Sequence, residues 1–160
     1  MLLAFAACST SSLPPSSSSA APAAHPLTEL PVAGWPTNGG DLYNRRYSPL
    51  TEIDRNNVAK LKGVWLAHLN GSGIGPPYSG EAQPIVADGV IYISTGANDV
   101  FALNVDTGEI LWEYRANLDP RNNAVCCGWT SRGVGIGDGK IFAGQLDGKL
   151  VALDRATGAV

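Results

Sequence analysis

Positive charge is scarce and scattered in this chain. Eleven Lys and Arg stand against fourteen Asp and Glu, a formal net charge of −3. No basic run or stripe occurs, so there is nothing from which to build a nucleic-acid surface. No apolar stretch approaches the roughly 20 residues a spanning helix requires. Histidine occurs only at His25 and His68, one in a low-complexity stretch and one without a partner in view, and neither is given a role. Cysteine occurs three times, at Cys8, Cys126 and Cys127. Residues 1–30 are rich in Ser, Ala and Pro and contain little that packs. All four tryptophans and all five tyrosines lie in residues 31–160, and a core can form only there.

What that stretch contains is a repeat. Asp88 to Ile110 aligns without a gap on Asp138 to Val160. Asp88-Gly89 matches Asp138-Gly139, Ala102-Leu103 matches Ala152-Leu153, and Thr107-Gly108 matches Thr157-Gly158. Tyr92 changes to Phe142, Val100 to Leu150 and Asn104 to Asp154. The pattern predicts short strands over Gln83–Ala87, Val90–Ser94, Val100–Asn104 and Ile110–Tyr114. Asp-Gly pairs between them suit tight hairpin turns, because glycine accepts the positive φ such turns require. Thr51 to Leu61 reads as a short helical turn with Asp54 as cap. Val64 to Leu69 reads as a further strand, and Trp35–Tyr47 and Asn70–Ser79 as loops.

Repeats of short antiparallel strands read as blades of a β-propeller. The fold class expected is therefore all-β, a partial propeller of about two four-stranded blades. A ring closes with about four to eight blades, so the expectation is an N-terminal portion of a longer protein. Trp112, on the outer strand, is placed to lie flat against the neighbouring blade and fix its angle. Cys126-Cys127 falls in the connection between the two copies, and in propellers such connections rim the central channel.

Ala6-Ala7-Cys8, behind a short apolar run and followed by Ser and Thr, resembles a bacterial lipoprotein signal. The resemblance implies export, lipidation of Cys8 and a periplasmic protein with a membrane tether. Residues 1–8 would be the signal and 9–30 a flexible tether, since Ser/Ala/Pro composition does not offset the entropy of ordering. Residues 31–160 would be the propeller part. An ordinary cleaved export signal is the alternative. In an oxidising compartment the two remaining cysteines are free to form one bridge.

Ser79-Gly80-Glu81-Ala82-Gln83-Pro84, the run Ala102 to Trp112, and Cys126-Cys127-Gly128-Trp129-Thr130-Ser131-Arg132-Gly133 together resemble the pyrroloquinoline quinone (PQQ)-dependent alcohol dehydrogenases. Arg46-Tyr47-Ser48-Pro49-Leu50 resembles that family's entry to its first blade. The resemblance implies a disulfide between Cys126 and Cys127 against one face of the quinone. It implies that Arg132 meets a cofactor carboxylate, with Glu81 contacting the cofactor and holding that arginine. It also implies hydride transfer from an alcohol to PQQ with Ca²⁺ as Lewis acid. The acceptor implied is a cytochrome c-type protein, or haem c in a further domain. The family's catalytic base and Ca²⁺ ligands match no position in this sequence; Asp138 and Asp147 are turn residues and Asp154 belongs to the repeat. From the residues alone, two buried unbridged cysteines, a surface ion pair at Arg132 and a solvated Glu81 remain open. Two other functions fit the repeats: a non-enzymatic lipoprotein scaffold for outer-membrane protein assembly, and a quinoprotein acting on sugars or polymeric alcohols.

Overall fold

The computed structural model describes residues 27–72, 78–122 and 128–160. They form nine strands and one short 3₁₀ turn, Val58–Lys60. The strands are β1 (Tyr78–Ser79), β2 (Ile85–Ala87), β3 (Val90–Ser94), β4 (Val100–Asn104), β5 (Ile110–Tyr114), β6 (Trp129–Thr130), β7 (Gly135–Gly137), β8 (Lys140–Gly144) and β9 (Leu150–Asp154). β2-β3-β4-β5 make a four-stranded antiparallel sheet and β7-β8-β9 a three-stranded one. These are two blades of a β-propeller. Val160 is the repeat counterpart of Ile110, the first residue of β5.

The two copies share their local chemistry as well as their outline. Asp88 and Gly89 have φ of 50° and 75°, and Asp138 and Gly139 have 47° and 66°. Both hairpins thus turn through two left-handed residues, the geometry that matches strand twist. The Oδ1 atom of Asn104 accepts hydrogen bonds from the N–H groups of Asp106 and Thr107. Asp154 does the same for Ala156 and Thr157. The Thr157 hydroxyl and N–H hold the Asp154 carboxyl below its ordinary pKa.

The blades are joined by tryptophan docking. The indole N–H of Trp112 donates to the carbonyl of Arg155 at 3.0 Å. Its six-membered ring lies so close to Gly158 that a Cβ there would come within 2.6 Å of Cε3. Trp65 repeats this one blade earlier: it donates to the carbonyl of Val105 at 3.0 Å and covers Gly108 as closely. Sequence reading did not find the Trp65 contact, because the spacing from Trp65 to Trp112 differs from the spacing of the repeat. Residues 61–69 form no strand, contrary to the expectation for Val64–Leu69. Val64 and Leu66 are exposed, since no described neighbour offers them a ladder.

Between the blades Tyr92, Val100, Ala102, Ile141, Ala143 and Leu153 form one buried cluster. Arg155, from the second blade, stacks its guanidinium over the Tyr92 ring at 5.9 Å and pairs with Asp88 of the first. Residues 45–50 carry no regular structure, and Tyr47 and Leu50 are exposed. Trp35 adds one antiparallel bridge to Val86.

Candidate cofactor-binding site

No pattern in the sequence signals the pairing between β1 and β6. They run parallel, with Tyr78 opposite Trp129 and Ser79 opposite Thr130. Each leads into its own blade, so the pair marks where the two blades meet. The Tyr78 and Trp129 rings stack at 5.6 Å between centroids, tilted by 55°. Trp129 is buried, and its indole N–H donates to the carbonyl of Asn122 at 2.8 Å. That bond ties together the two ends of the segment containing Cys126 and Cys127. The cysteines themselves, and Cys8, lie outside the described residues, as does their proposed bridge.

Two residues beyond each strand stand the other two predicted site residues. Arg132 Nε donates to Glu81 Oε2 at 3.4 Å, and Ser79 Oγ lies 3.4 Å from Glu81 Oε1. Arg132 and Glu81 are 51 residues apart in the chain, and the parallel pairing brings them together. The side chains are 82% and 51% exposed. An ion pair this exposed adds at most about 1 kcal/mol to stability. Its chemistry lies in what it leaves open. Only Nε of Arg132 is engaged among the described residues, and the terminal Nη groups remain available to a carboxylate fork. These donors suit a single carboxylate. Among the described residues no group of three or more His, Cys, Asp or Glu side chains is placed to hold a metal ion, so no Ca²⁺ ligand is assigned.

Beneath this pair lies a buried polar layer. Ser94 and Ser131 share a 2.7 Å hydroxyl–hydroxyl hydrogen bond. Asn98 donates Nδ2–H to the carbonyl of Thr130 at 3.2 Å and accepts from the N–H of Leu146 at 2.7 Å. Asp99 is buried and accepts from the N–H of Ala116 at 2.9 Å, with Arg115 3.7 Å away. Burial raises the Asp99 pKa; the Ala116 N–H and Arg115 oppose this and Glu113 adds to it. The folded protein thus holds this proton more tightly than the unfolded chain does. The stabilisation is full below the ordinary carboxylate pKa and is lost as pH rises through the raised one. Asp99→Asn keeps the acceptor and removes the charge. Urea denaturation should show the variant gaining on the wild type at pH 7, with the gap closing below about pH 4.

Docked tryptophans and two antiparallel blades define part of a β-propeller, with an exposed guanidinium at the blade junction. The chain belongs to the PQQ-type family described as the glucose/ethanol/alcohol dehydrogenase β-propeller domain, whose model matches residues 35–160. It is 42% identical over 127 residues to 1-butanol dehydrogenase (cytochrome c) of Thauera butanivorans, covering 78% of this chain and 17% of that protein. It is 40% identical over 124 residues to quinoprotein alcohol dehydrogenase PedH of Pseudomonas putida, covering 78% and 20%. The crystal structure of quinohemoprotein alcohol dehydrogenase from Comamonas testosteroni superposes with a TM-score of 0.73 at 37% identity, over 79% of this chain and 18% of that one. The chain thus spans about a fifth or less of the length of these relatives.

Proposed function

We propose that this chain is the N-terminal part of an exported quinoprotein that oxidises alcohols, and that it supplies one wall of the PQQ site. The observation that carries the reading is the Arg132–Glu81 pair at the end of the β1–β6 junction, with the guanidinium largely exposed. Arg132 would receive a PQQ carboxylate on its free Nη donors. Glu81, through Nε, would keep the guanidinium plane from swinging away. Cys126 and Cys127 would be bridged and form a rigid, polarizable surface beside it. PQQ, when bound, supplies the acceptor for a hydride from the alcohol carbon. Arg132 and Glu81 would bind and orient it. Ca²⁺, the base, the substrate pocket and the cytochrome-type acceptor would be provided by other segments or partners. Relatives named as cytochrome c-linked and quinohemoprotein alcohol dehydrogenases support an alcohol substrate and a cytochrome acceptor. Export to the periplasm, with Cys8 as a lipid anchor, completes the proposal.

The test is reconstitution of the full-length protein with PQQ and Ca²⁺, followed by dye-linked oxidation of short alcohols. Micromolar PQQ binding with alcohol turnover is the expected result, and no PQQ binding would sink it. Non-reducing peptide mapping should find the peptide holding Cys126 and Cys127 lighter by two hydrogens. Two freely alkylated thiols would remove the bridge from the proposal.

A further inference from the structure

The two copies differ most tellingly at the corner between their second and third strands. Where the first copy has Ser94, Gly96 and Asn98, the second has Gly144, Leu146 and Gly148. All three first-copy residues touch the segment that leads to Arg132. Ser94 bonds the hydroxyl of Ser131, which also lies 3.4 Å from the N–H of Gly133 and so spans Arg132. Gly96 lies where a Cβ would come within 2.6 Å and 2.7 Å of the Ser79 backbone and 3.0 Å of the Trp129 carbonyl. Asn98, only 2% exposed, holds the Thr130 carbonyl on one side and the Leu146 N–H on the other. Its φ is +62°, in the left-handed region, and Gly148 has +84° at the matching position. The conformation alone asks for glycine. Asparagine tolerates it and adds an amide, and both ends of that amide are used.

We infer that Ser94 and Asn98, with Gly96 between them, position Arg132 for anion capture. The corner grips β6 and, through the backbone at Gly96, seats β1 beside it. Those two strands aim Arg132 and Glu81 at each other. The repeat fold does not need these side chains, since the second copy forms the same hairpin with Gly144 and Gly148. They occur where the corner faces the Arg132 segment. Ser94 and Asn98 are positioning residues, acting on the cofactor only through Arg132. The inference rests on the PQQ reading above, and its test separates the two.

In the full-length protein, Asn98→Gly keeps the backbone conformation of Gly148 and removes both amide contacts. PQQ affinity by fluorescence quenching is expected to fall about tenfold, with Ser94→Ala giving a smaller loss in the same direction. Thr157→Ala serves as the stability control. It removes the 2.8 Å bond from the Thr157 hydroxyl to Asp154, in a turn that makes no contact with the corner among the described residues. It should lower the melting temperature and leave PQQ affinity unchanged. Equal affinity in Asn98→Gly and wild type would overturn the inference, as would affinity losses in all three variants that simply follow their melting temperatures. Should Asn98→Gly fail to fold, Ser94→Ala decides by the same criterion. A second readout needs no cofactor: hydrogen exchange of the peptide around Arg132. Faster exchange in Asn98→Gly but not in Thr157→Ala supports the inference, and unchanged exchange overturns it. If the wild type binds no PQQ, the proposed function falls and this exchange measurement still decides on the corner.

Discussion

Arg132→Ala in the PQQ-reconstituted full-length protein is expected to weaken cofactor binding about ten- to a hundredfold. The loss corresponds to about 1.5–3 kcal/mol for a hydrogen-bonded charged group. Alanine removes both the charge and the fork, and it leaves a cofactor carboxylate without a partner. Arg132→Lys should lose less, because it keeps the charge but presents a single ammonium in place of two parallel donors. Folding stability should change little in either variant, since the side chain is 82% exposed and its pairing with Glu81 is a surface contact. Titration of PQQ by fluorescence quenching, beside a thermal melt, separates the two effects. Equal affinity in wild type and Arg132→Ala would place Arg132 outside the site.

Trp112→Ala is expected to cost about 3 kcal/mol of stability, the lower end for a large aromatic because the ring is only half-buried. The ring packs on Tyr92 at 6.0 Å, covers Gly158 and donates to the Arg155 carbonyl. The contacts to Gly158 and Arg155 join one blade to the next, and the one to Tyr92 seats the ring on its own blade. Gly158→Ala should be destabilising from the other side of the same contact. Its φ is +73°, and the new Cβ would meet the indole at 2.6 Å. Because both substitutions break one contact, their effects should fall well short of additive in a double mutant. Chemical denaturation of the full-length protein measures this. Fully additive losses would show that Trp112 and Gly158 act independently.

The blade pattern was legible because strand alternation, Asp-Gly turns and the Thr-Gly-to-Trp motif are local. Each is fixed by a few neighbouring residues, and β3, β4 and β5 have the ends expected from sequence. Glu81 and Arg132 were legible as candidates, but only through resemblance; nothing local distinguishes them from solvated surface charges. What brought them together is the parallel pairing of β1 and β6, two strands of two residues each. Strands that short carry no periodicity to read. The Val64–Leu69 segment shows the reverse case. Its composition favours a strand, yet a strand exists only with a ladder partner, and no described residue provides one. Trp65 was visible in the sequence, but its seat on Gly108 was not. Asn98 is the clearest division between the two levels. The repeat alignment shows an asparagine where the second copy has glycine. That its buried amide clamps the strand leading to Arg132 is decided by the approach of two chain segments 32 residues apart. The sequence by itself determined the blades, their turns and the charged residues available at their junction. Only the tertiary structure decided which of those residues meet, because long-range contacts depend on how whole blades dock and not on the propensity of any one segment.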